Sequence, residues 1–135
     1  MSATLTALLG FIAWTLFLLI LMEAVRSKLV LTGAVPANGF DPQNSMLSPF
    51  MQRLARAHAN CLEGLPVYGG LMIVAVVAGR SAVTDPLAYV LLGARIVQSL
   101  IHLASLSPAA VTARFCAFAV QMGIAVYWVV GLYAA

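Results

Sequence analysis

Charge is what this chain has least of: Asp, Glu, Lys and Arg make up 8% of its 135 residues. A soluble domain carries about 25% charged residues, so a globule of this composition could not cover a water-facing surface. Intrinsic disorder, which needs high charge and low hydrophobicity, is excluded on the same ground. Cysteine is scarce too. Cys61 and Cys116 stand far apart with no Cys-x-x-Cys pair, so a disulfide-stapled module and a zinc framework both lack support, and no metal is expected. Lysine occurs once, as Lys28, and the arginines are scattered with no basic run or aromatic interleaving. Nucleic acid is therefore not expected as a partner, although the net charge is +3.

What the chain has in abundance is apolar sequence, with 63% hydrophobic residues. A membrane-spanning helix takes about 20 residues, so four crossings with short connections use nearly the whole length. The expected fold is an all-α integral membrane protein, a single four-transmembrane-helix bundle with no separate soluble domain. The first span is expected at about 4–27, within which Leu5–Met22 is almost continuously apolar. A secretory signal is not expected there, because no basic region precedes the run and Glu23-Ala-Val-Arg26 is a poor cleavage site. Turn formers from Thr32 onward mark a loop at about 28–48. The second span is expected at about 49–79 with Pro66 inside it, the third at about 86–106 and the fourth at about 109–134. Thr84 or Asp85 is expected to cap the third helix, with Pro86 at its first position.

Lysine and arginine near span ends set orientation. One side receives Arg26, Lys28, Arg53, Arg56 and Arg114, and the other receives Arg80. Both termini are thus expected to face away from the cytoplasm, with the long loop facing it.

Charges within spans are costly, roughly 2.5–3.5 kcal/mol each at mid-membrane, and normally face a bundle interior. Their angular placement is therefore informative. At about 100° per residue, Arg53, Arg56, Asn60 and Glu63 fall within an arc of roughly 80°. Arg95, Gln98 and His102 share a face of the third helix, as do Arg114 and Gln121 on the fourth. Some of these have structural readings: Glu63 could neutralise Arg95, Asn60 could hydrogen-bond across helices, and Lys28 is expected to snorkel to headgroups. Cations nevertheless outnumber acids. Arg26, Arg53, Arg56, Arg95 and Arg114 stand against Glu63 alone in the polar stripes. Such a surplus predicts a positive cavity that takes an anionic, water-soluble ligand from the cytoplasmic side, because guanidinium forks bind carboxylates and phosphates.

The segment Arg53-Leu-Ala-Arg-Ala-His-Ala-Asn-Cys-Leu-Glu-Gly-Leu-Pro66 resembles the second-helix signature of the MAPEG family, the membrane-associated proteins of eicosanoid and glutathione metabolism. That signature reads roughly Arg-x-x-Arg-Ala-His-x-Asn-x-x-Glu with a proline soon after. Ala94–His102 resembles the family's third-helix segment, and Val25-Arg-Ser-Lys28 the basic end of its first helix. The likeness extends over nearly the whole chain. It implies a homotrimer with glutathione between neighbouring subunits, near the cytoplasmic side. It also implies that Arg26, Asn60 and Glu63 contact glutathione, Glu63 accepting from its amino group. Arg56, Arg95 and Gln98 would shape and line that site. His102 stands where the family carries tyrosine, and Arg114 follows Pro108 by more residues than in well-studied members.

The implied activity is a glutathione transferase, and with it a peroxidase, acting on hydrophobic electrophiles dissolved in the lipid bilayer. Arg114 is the expected catalytic residue and His102 a second. The resemblance is to a bacterial-type member, which points to the bacterial inner membrane. Two other readings remain open: a non-enzymatic lipid or glutathione binder, and a small four-span exporter. The exporter would need an acid within its first span, whereas Glu23 stands at the end of that span.

Overall fold

The computed structural model describes residues 1–134. The chain forms four α-helices: α1 Ala3–Leu31, α2 Pro49–Val77, α3 Ser81–Ala104 and α4 Pro108–Ala134. Each is long and apolar enough to cross a membrane. Their ends have local causes. The Ser2 hydroxyl accepts from Leu5 N at 3.2 Å and the Ser48 hydroxyl from Met51 N at 3.3 Å, which caps α1 and α2. Pro49 begins α2, where its missing N–H costs nothing. Gly79, at φ 68°, supplies the left-handed residue that closes α2.

The helix α3 packs against all three others, whereas α1 and α4 do not touch, and α2 meets α4 only sparsely. The core is filled by Phe11, Leu18, Leu54, Met72, Leu91 and Trp128. Outside it, Phe17, Ile20, Ile73, Val97, Phe115 and Val130 are all exposed. A soluble monomer rarely shows so continuous an apolar surface, and lipid tails are its natural solvent. In α4 the buried residues are Gln121, Ile124, Ala125 and Trp128, all in its second half. The first half of α4 and the facing side of α2 thus leave a seam open.

The third helix begins at Ser81, five residues before the expected 86, and Pro86 lies inside it. Asp85 does not cap α3. Its Oδ1 accepts from Thr4 N at 2.9 Å and from the Thr4 hydroxyl, which also meets Thr84 Oγ1 at 2.7 Å. The carboxylate therefore satisfies the free Thr4 N–H in the first turn of α1, at the positive end of its dipole. Asp85→Ala should cost about 1 kcal/mol, read as a lower thermal midpoint in detergent. An unchanged midpoint would show that this cap contributes nothing.

The loop between α1 and α2 is folded rather than slack. Asn44, at φ 55° and 1% exposed, is its buried anchor. Its Nδ2 donates to Met51 O at 2.7 Å, in the first turn of α2. Its Oδ1 accepts from Arg26 Nε at 2.9 Å and again from Nη2. Arg26 Nη2 also donates to Asp41 O at 3.0 Å, and Nη1 pairs with Glu23 at 3.1 Å. Hydrogen bonds from the Ser45 hydroxyl and backbone N–H hold the Asp41 carboxyl below the usual carboxylate range.

A candidate anion-binding groove between α2 and α4

The open seam collects the polar stripes. On α2, Arg53 Nε donates to Leu103 O at 2.8 Å, satisfying a carbonyl in the last turn of α3. One face onward, the Asn60 amide nitrogen stands 3.3 Å from His102 Nδ1. With the amide donating, the imidazole proton resides on Nε2, and that atom is buried without a hydrogen-bond partner. His102 is 4% exposed and feels the charges of Arg114, Arg56 and Arg53. Gln98 Oε1 accepts from Gln121 Nε2 at 2.8 Å, tying α3 to α4.

Two adjoining hollows occupy the seam. One, about 240 Å³, is lined by Asn60, Gln98 and Arg114 with the apolar Val111, Phe115 and Phe118. The other, about 280 Å³, is lined by Asn60, Glu63, Gly64 and Arg95, and by Phe118 and Met122 from α4. They share Asn60 and Phe118, and so form one groove with a guanidinium in each half. Asn60, Glu63, Arg95, Gln98 and Arg114 are thereby brought together on the walls of one groove. His102 lies buried against Asn60, and Arg56 stands exposed one turn before it on α2.

Arg26 is the exception. With Glu23, Phe40, Asp41 and His58 it lines a different hollow of about 530 Å³, between α1, the loop and α2. Its expected place in an unpaired positive cavity is corrected: Glu23 neutralises it and Asn44 and the Asp41 carbonyl take its donors. Glu23 lies outside the polar stripes, at the end of the first span, and so does not enter a charge balance taken over the stripes alone. The suggested Glu63–Arg95 pair does not form either. Among the described residues Glu63 makes no ion pair, and the Arg95 guanidinium lies 5.4 Å from the Phe11 ring and 5.9 Å from that of Tyr68. Arg53, Arg56, Arg95 and Arg114 remain against Glu63, so the surplus is smaller than expected but keeps its sign.

Sequence spacing passed over Gly64, Tyr68 and Asn44. Gly64 and Tyr68 continue the Asn60 face at intervals of four, a signal present in the chain. Asn44, in an irregular loop, offered none. Among the described residues no group of three or more His, Cys, Asp or Glu could hold a metal ion.

The sequence matches the MAPEG family over residues 4–134. No curated protein and no solved structure matches it. With four membrane-spanning helices and a family match over almost its full length, the chain is an integral membrane protein that belongs to the MAPEG family, a family of glutathione and eicosanoid metabolism.

Proposed function

We propose that the protein is a membrane-embedded glutathione transferase acting on lipophilic electrophiles. The observation that supports this reading most is the groove itself, in which amides, one carboxylate and two guanidiniums from three helices line a space walled by apolar side chains of α4. Glutathione carries two carboxylates and one ammonium, matching a site with a cationic surplus and a single acid. In this reading Glu63 accepts from the ammonium, and Asn60 and Gln98 meet the peptide. Arg95 and Arg56 serve the carboxylates.

A free thiol titrates near pKa 8.5, and the thiolate is the nucleophile. The guanidinium of Arg114, always charged, favours the thiolate without taking the proton, which leaves to water. The His102 Nε2–H is a second donor toward sulfur or the leaving group. The thiolate attacks the electrophilic carbon, a C–S bond forms, and the leaving group departs with its electron pair. An electrophile dissolved in the bilayer enters past Phe115, Phe118 and Met122, so holding both partners together supplies much of the rate gain. The same thiolate would reduce lipid hydroperoxides.

A homotrimer, as the family implies, would cover the first half of α4 and bring the Arg26 face of one copy to the groove of the next. The lysine and arginine distribution supports a cytoplasmic loop with the termini on the far side. Adding glutathione to purified protein should raise an ultraviolet thiolate absorbance, and an aryl halide should then be conjugated. Neither signal appearing would leave only a binding role. Glu63→Gln should weaken glutathione about tenfold, measured as reduced thermal stabilisation by the ligand. Unchanged affinity would return Glu63 to a structural role.

A further inference from the structure

Gln121 is fully buried, seven residues beyond Arg114 on the same face of α4. Its Nε2 donates twice, to Gln98 Oε1 at 2.8 Å and to Ala117 O, one turn back, at 3.1 Å. Its Oε1 is buried with no hydrogen-bond partner. A buried acceptor left unpaired weakens a fold, and methionine would fill a similar volume without one. The amide therefore needs a reason beyond packing.

The direction of these bonds is set from the backbone outward. Ala117 O is a main-chain carbonyl and can only accept. The end of the Gln121 amide beside it must be the nitrogen, because the reverse would set two oxygens 3.1 Å apart. The second hydrogen on that nitrogen goes to Gln98, which meets it with oxygen. Gln98 lines the outer hollow of the groove with Arg114. With its Oε1 taken by Gln121, the end it has left for the hollow is Nε2, a donor. A glutamine without such a partner can turn either end of its amide to a ligand, since its last torsion has two nearly equivalent settings.

We propose that Gln121 is a positioning residue, which holds the Gln98 amide with its nitrogen toward the groove so that Gln98 donates to a carbonyl oxygen of the bound peptide. This rests on the glutathione reading above and gives Gln98 a defined polarity within it. The polarity of the groove wall then originates in a helix carbonyl and passes through two side-chain amides. The unpaired Oε1 of Gln121 is what that relay leaves over, since an amide that donates on one side must keep its oxygen on the other.

The test uses purified full-length protein in detergent, with glutathione affinity read by thermal stabilisation and KM for glutathione set against kcat in conjugation to an aryl halide. Gln121→Met removes the donor and the unpaired acceptor together. It should raise Kd and KM for glutathione about tenfold, the scale of one directed hydrogen bond. The rate at saturating glutathione should be kept, because a contact made equally in ground and transition states acts on KM alone. Gln98→Met should raise KM by as much, and combining the two substitutions should raise it no further, since one residue acts through the other. Additive effects, or a wild-type Kd in either single variant, overturn the inference and leave the glutathione reading standing. If Gln121→Met does not fold, Gln98→Glu decides the matter. Its carboxylate still accepts from Gln121 but turns oxygen to the groove, so the ligand-free midpoint should hold while glutathione affinity is lost. Retained affinity in that variant also overturns the inference. A wild type that binds no glutathione overturns both readings.

Discussion

Arg114→Ala should lower the rate of conjugation to an aryl halide about a hundredfold, the usual scale for deleting one preorganised stabiliser of a developing or resident anion. The thiolate absorbance seen on adding glutathione should fall with it. Stability should not change. Arg114 is half-buried in the first half of α4, where no side chain is buried, and it donates no hydrogen bond to another described residue. Nothing in the protomer depends on it, whereas the outer half of the groove has no other guanidinium on its wall. Arg114→Lys should retain part of the rate, because a point charge still favours the thiolate while the planar fork is lost. Wild-type turnover by a folded Arg114→Ala protein would remove the residue from the mechanism.

Asn44→Ala should destabilise the protein by about 2–4 kcal/mol, because two hydrogen bonds from a charged donor and one to a backbone carbonyl are lost together. The guanidinium of Arg26, 16% exposed, would keep Glu23 and the Asp41 carbonyl but lose its amide acceptor. The expected readouts are a lower thermal midpoint and faster proteolysis within residues 32–48. Asn44→Asp separates the two sides of this anchor. Its carboxylate still accepts from Arg26 but cannot donate to Met51 O, so it should fall between wild type and alanine. Equal midpoints and equal protease resistance in wild type and Asn44→Ala would show that the loop is held by other contacts.

Both predictions bear on one feature of the bundle, the different situations of its arginines. Arg26 is consumed by the fold, fastening a loop to two helices. Arg53 caps a helix end through Leu103 O. Arg95 and Arg114 line a space, one deep against aromatic rings and one at the seam with α4. Identical side chains thus serve as staple, cap and ligand-facing charge, and the difference lies in which acceptors stand nearby.

How much of this was legible beforehand depends on distance along the chain. The four spans could be read directly, because each apolar run must bury its backbone polar groups in its own helix when no water is present. The stripe of Arg53, Arg56, Asn60 and Glu63 was legible for a similar reason, since helical periodicity places residues three, four and seven apart on one face. What periodicity cannot supply is the azimuth and height of one helix against another. The pairing of Arg26 with Asn44, the capping of α1 by Asp85 from eighty-one residues away, and the closeness of Gly64 to Arg95 all depend on that docking. Composition and spacing along the chain determined that there would be a membrane bundle with polar faces turned inward. Only the packing of the four helices decided which of those polar groups satisfy one another and which are left to line a groove, because a side chain's partner is set by what the neighbouring helix brings to the same level.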